Sequence, residues 1–243
     1  MAYGIIYGMT EFYSVGLALA GGITPALLWL WFWHREDKAH PEPRYLIALA
    51  FLAGMMTVAL VIPIQKFAAT LIVGSTGIFI AWSVIEEVMK YVVARIAILR
   101  HIEVDEPIDM VMYMVTIALG FAAVENALFL LSPLSGNNVL ETVLTGNLRF
   151  VGATLLHVLS SAVIGIALAI SFYKPKNIKR VYAFFGVILA IILHSGFNLL
   201  ILNTPNENLF RTFSIVWVSL VAVLALLEFV KRIRRKYNVT IKK

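Results

Sequence analysis

Uninterrupted apolar stretches of about 20 residues recur along this chain, the length an α-helix needs to cross a hydrocarbon core of roughly 30 Å. With 60% apolar residues and only 14% Asp, Glu, Lys and Arg, the composition lies far from a soluble domain, which is about 45–50% apolar and about 25% charged. More apolar side chain is present than one soluble core of 243 residues buries. A polytopic, all-α membrane bundle is the expected fold. A transmembrane β-barrel is excluded, because its strands alternate in polarity instead of running continuously apolar. There is no Cys, which removes disulfides, thiolate metal ligands and a Cys nucleophile.

Polar punctuation divides the apolar sequence into seven expected spans: Phe12–Trp33, Arg44–Ile64, Ala69–Leu99, Met110–Ser132, Arg149–Tyr173, Val181–Leu202 and Leu209–Lys231. The third is too long for a perpendicular helix, so it is expected to tilt or to begin in a re-entrant piece around Gly74-Ser75-Thr76-Gly77. One membrane domain over 1–243 is expected, with a catalytic core at about 69–202. Met1–Thr10 has no Lys or Arg, unlike a secretory signal, so the first helix is expected to stay in the mature chain.

The net charge of +6 is explained by topology, without nucleic acid. Arg35, Lys38 and Arg44, then Arg95 and Arg100, then Lys174, Lys176, Lys179 and Arg180 all follow odd-numbered spans. Lys231, Arg232, Arg234, Arg235, Lys236, Lys242 and Lys243 join them on the same side. The opposite side has only Lys66, Arg149 and Arg211. This bias places the C-terminus in the cytoplasm and the N-terminus outside.

Few ionisable residues lie deep in a span: Glu86, Glu87, Lys90, Glu125, His157 and His194. A charge at the bilayer centre is expensive, so such groups face the bundle interior and mark function. At about 1.5 Å per residue, Glu86 lies about 20 Å from the inner end of its span. Glu125 lies about 10 Å from its outer end, and His157 and His194 about 12 Å from theirs. Four helices thus bring their polar groups to one level in the outer half of the membrane. Each has a neighbour one turn away on the same face: Lys90 for Glu86, Phe121 for Glu125, Ser161 for His157 and Asn198 for His194. Asn126 and Ser161 are the residues most readily explained as helix-packing polar groups.

The run Glu86-Glu87-Val88-Met89-Lys90, then Asp109 to Tyr113, then Gly120-Phe121-Ala122-Ala123-Val124-Glu125-Asn126, resembles the PrsW family of intramembrane proteases. His157 with Ser161, and His194 with Asn198 in Leu193-His194-Ser195-Gly196-Phe197-Asn198, fit that family's later motifs. The family is a distant relative of the type II CAAX prenyl proteases, from which this chain differs in having Glu125 where that branch has His. The resemblance implies proteolysis of a membrane-spanning substrate, such as an anti-sigma factor, in a prokaryotic plasma membrane.

Peptide hydrolysis needs an activated water, a stabilised oxyanion and a proton for the leaving amine. A carboxylate in a low-dielectric pocket suits the general base, with Glu86 preferred over Glu87 and with Lys90 positioning the second carboxylate. Asn198, with one histidine, is the expected oxyanion donor. In a metal version, Glu125, His157 and His194 supply one carboxylate and two imidazoles to Zn2+ and leave a position for water. In a metal-free version, glutamate alone activates water and the histidines serve the oxyanion. Glu125 keeps a zinc-ligand type and favours the metal. The competing classes are an ion-coupled transporter, which commonly carries a two-fold repeat that we do not find, and a non-catalytic scaffold for transmembrane helices.

Overall fold

A computed structural model describes residues 2–35, 41–135, 140, 152–203 and 209–241. The described residues form seven helices and no strand: α1 (Ala2–His34), α2 (Arg44–Leu71), α3 (Ser75–Ala97), α4 (Pro107–Ser135), α5 (Thr154–Ile170), α6 (Lys176–Asn203) and α7 (Leu209–Ile241). Five of them contain a segment long and apolar enough to cross a membrane: Tyr13–His34, Arg44–Leu71, Pro107–Ser132, Lys176–Ile201 and Ser214–Ile233. α5, at 17 residues, is apolar and shorter, about 25 Å. α3 falls outside that set because it carries Glu86, Glu87, Lys90 and Arg95, three of which are buried in the bundle.

α4 is the central post. Every residue from Val111 to Ala123 is buried, so the helix is apolar on all sides and can only sit inside a bundle. Its neighbours approach closely through glycine. A Cβ on Gly120 would stand 2.0 Å from the Phe51 carbonyl oxygen, and one on Gly54 would stand 2.1 Å from that of Ile117. α2 and α4 therefore touch backbone to backbone, the close contact that small residues permit between membrane helices. Gly165 of α5 meets Val111, and Gly22 of α1 meets Ala123, in the same way.

The second span does not stop at Ile64, because α2 runs through Gln65 and Lys66 to Leu71. No single third span starts at Ala69. Ile72–Gly74 form a tight turn, with Gly74 at φ +92°, and α3 begins at Ser75. A side chain at Gly74 would be strained by that φ, so glycine ends one helix and frees the chain to reverse. The expected start of the fifth span, Arg149, lies outside the described residues. Trp33 at the end of α1 is fully buried in the main core.

Candidate active site

Four helices contribute the polar centre. α3 contributes Glu86, Glu87 and Lys90 from one inward face, since positions three and four apart share a helix side. α4 contributes Glu125, α5 His157 and α6 His194 with Asn198. Glu86, Glu87, Lys90, His157 and His194 are all at most 5% exposed. These groups, expected to meet from separate helices, converge in one buried cluster.

The two imidazoles are held in a definite orientation. His157 Nε2 lies 2.8 Å from Glu125 Oε2, and His194 Nδ1 lies 2.7 Å from Glu87 Oε1. An ionised carboxylate only accepts, so each of these ring nitrogens donates. In the neutral rings the lone pairs then belong to His157 Nδ1 and His194 Nε2. Both point toward Glu86 Oε2, at 3.9 and 3.7 Å. The rings stand 5.1 Å apart at 81°, with Phe121 packed edge-on against His157 at 5.2 Å.

The two oxygens of Glu86 have different surroundings. Oε1 accepts from Gln65 Nε2 at 2.8 Å, whereas Oε2 is buried with no hydrogen-bond partner among the described residues. Glu87 accepts from Lys90 Nζ at 2.5 Å as well as from His194, so it is tied down on two sides. The Lys90 ammonium also lies 3.3 Å from His157 Nδ1 and 5.1 Å above the Phe121 ring. Asn198 Nδ2 donates to Ser83 Oγ at 3.3 Å.

A cavity of about 480 Å³ opens onto this cluster, lined by Gln65, Trp82, Glu86, Phe121, Glu125, Phe129, His157, His194, Phe197 and Asn198 among others. Its walls come from the C-terminal parts of α2, α4 and α6 and the N-terminal parts of α3 and α5, which all meet at one end of the bundle. Glu87 and Lys90 sit behind it.

The expected supporting residues separate. Asn126 Nδ2 donates to Thr154 Oγ1 at 2.7 Å, joining α4 to α5. Ser161 Oγ is buried without a hydrogen-bond partner among the described residues, and Ser161 does not line the cavity. Gln65 and Ser83 are the site residues that sequence reasoning missed. Gln65 was assigned to the loop after the second span, although an uncharged amide inside an apolar helix is itself a signal of a buried partner.

The expected metal set was Glu125, His157 and His194. The carboxylate and imidazoles whose ligand atoms converge, within 4.8 Å of one another, are instead Glu86, His157 and His194. Glu125 bonds the far nitrogen of His157, where a carboxylate orients the ring. The donor set suits zinc, which takes nitrogen and oxygen ligands at about 2.0–2.2 Å. The unpartnered Glu86 Oε2, facing two lone-pair nitrogens, fits such an ion.

Helices of membrane-spanning length around a buried carboxylate–imidazole cluster with its own cavity define a polytopic membrane protein with a hydrolase-type centre. The sequence comparisons agree. The family profile described as "PrsW family intramembrane metalloprotease" matches residues 42–227. The "Protease PrsW" of Geobacillus kaustophilus is 29% identical over 76% of this chain and 79% of its own length. That of Oceanobacillus iheyensis is 28% identical over 86% and 94%, and that of Bacillus subtilis is 23% identical over 77% and 84%. No solved structure matches the chain. The chain belongs to the PrsW family of intramembrane proteases and is a bacterial membrane peptidase.

Proposed function

We propose that this protein is an endopeptidase that cuts a membrane-spanning protein near the extracytoplasmic face of the plasma membrane, with Glu86, His157 and His194 holding a divalent metal, zinc by its donor set. The observation that carries this reading is the convergence of Glu86 Oε2, His157 Nδ1 and His194 Nε2, each ring fixed from behind by a carboxylate. Such an ion, when bound, activates water and polarises the scissile carbonyl. Glu125, whose Oε2 holds His157, also lines the cavity, and its carboxylate serves as the group that takes a proton from water and returns it to the leaving amine nitrogen. Asn198, on the same wall, has one amide N–H beyond the one given to Ser83, and that N–H serves the oxygen on which charge develops. Relative to the sequence expectation, Glu86 and Glu125 exchange roles. The cavity end lies away from Arg95, Lys176, Lys179 and Arg180, so the basic-residue orientation puts cleavage on the outer side. An anti-sigma-factor-like protein is a substrate of the right class.

A second reading, metal-free hydrolysis with Glu86 as base, is favoured by one contact: Lys90 Nζ lies 3.3 Å from the His157 Nδ1 lone pair that a metal would need. Purified protein incubated with a single-span test substrate tests both. Wild type is expected to cleave, and Glu86→Gln, Glu125→Gln and His194→Ala to lose at least about a hundredfold in rate. Cleavage persisting in all three variants rejects the site. Stoichiometric metal by elemental analysis, with activity lost to a chelator and restored by zinc, selects the first reading. Full activity in metal-free protein selects the second.

A further inference from the structure

We propose that the end of the bundle remote from the active site contains a binding pocket for the phosphate headgroup of an anionic phospholipid. The pocket, of about 260 Å³, lies between the C-terminal ends of α3 and α5 and the N-terminal ends of α4 and α6. Four of its lining residues are cations, Arg95 from α3 and Lys176, Lys179 and Arg180 from α6. Among the described residues, no carboxylate lines it and none of the four makes an ion pair. Acids do occur close by in sequence. The Asp109 carboxylate is taken up locally, its Oδ2 accepting from the backbone N–H groups of Asp105 and Glu106. The concentration of unneutralised charge in one concavity therefore calls for an anion from outside the chain.

The shape of the pocket selects a lipid over a free ion. Its remaining wall includes four apolar side chains at the helix ends, Leu99, Met110, Leu168 and Phe172. Lys179 Nζ sits 5.2 Å above the Phe172 ring, a cation–π contact that holds the ammonium beside the apolar part of the wall. A molecule with a phosphate at one end and acyl chain at the other satisfies both halves, and juxtamembrane basic groups are each worth about 1 kcal/mol toward anionic lipid. This pocket shares no lining residue with the active-site cavity.

The test uses full-length protein in nanodiscs of phosphatidylcholine containing a small fraction of phosphatidylglycerol, with bound lipid counted by native mass spectrometry. Wild type is expected to retain phosphatidylglycerol selectively. The Arg95→Gln/Lys179→Gln variant is expected to retain it roughly thirtyfold more weakly, from the loss of two such contacts. The Lys231→Gln/Arg232→Gln variant controls for diffuse surface charge and is expected to behave as wild type. Equal retention by all three proteins overturns the proposal, as does equal weakening by the two double variants. Excess inorganic phosphate is expected to leave the lipid in place, and its complete displacement would reassign the pocket to a free anion. Melting of each protein in detergent checks folding. Should the Arg95/Lys179 pair not fold, Lys176→Gln/Arg180→Gln is the second variant, with the same expected loss and the same overturning result.

Discussion

Lys90 and Glu87 form a fully buried ion pair, and each depends on the other to be tolerable there. Removing one partner leaves an uncompensated buried charge, which costs about 3–5 kcal/mol. Lys90→Met is therefore expected to lower the thermal unfolding midpoint sharply, and Lys90→Met/Glu87→Gln to recover much of the loss. Strict additivity of the two single changes would show that the pair is not coupled. Gln65 acts on the chemistry through one hydrogen bond to Glu86. Gln65→Leu is expected to reduce kcat about tenfold, roughly 1.4 kcal/mol, with little change in KM or in unfolding temperature. An unchanged kcat would remove Gln65 from the positioning of Glu86. At this scale the sequence was informative about which groups meet. It was less informative about which oxygen faces which ring, because level and helix face do not specify a rotamer. Glu86 and Glu125 lie at the same depth, and only the coordinates distinguish the carboxylate in front of the imidazoles from the one behind.

Helix existence was legible because twenty apolar residues in a row leave the chain no other way to satisfy its backbone in lipid. Boundaries were less so. The apolar run continues from Phe67 through the turn to Ile78, so hydropathy alone does not mark where α2 ends, and Gly74 was read as part of one longer element. Packing between elements is set by glycines that no periodicity argument singles out. Gly120→Leu is expected to force α2 and α4 apart and to lower the unfolding midpoint while also impairing cleavage, since Phe121 and Glu125 sit on the same helix. Gly196→Ala, with nothing within 4 Å of its added carbon, is expected to be neutral in both measurements. Equal effects of the two would contradict a backbone-to-backbone crossing at Gly120.

Across the whole molecule, the catalytic cavity and the basic pocket lie at opposite ends of one bundle, a polarity that the charge bias anticipates. Reporter fusions to the C-terminus are expected to read cytoplasmic, and a thiol label at Val73→Cys, fully exposed in the α2–α3 turn, to react from outside. The reverse pattern would place the active centre on the inner side and refute the proposed face of cleavage. The turn at Ile72–Gly74 has one more consequence, for biogenesis. Each charged residue of α3 at mid-membrane costs a translocon-inserted helix about 2.5–3.5 kcal/mol, so this helix is a poor candidate to partition into lipid unaided. Three residues separate it from α2, an apolar helix of 28 residues. The pair is therefore expected to insert as a hairpin, the greasy arm carrying the charged one, so that Glu86, Glu87 and Lys90 leave the ribosome beside a chaperoning neighbour within their own chain.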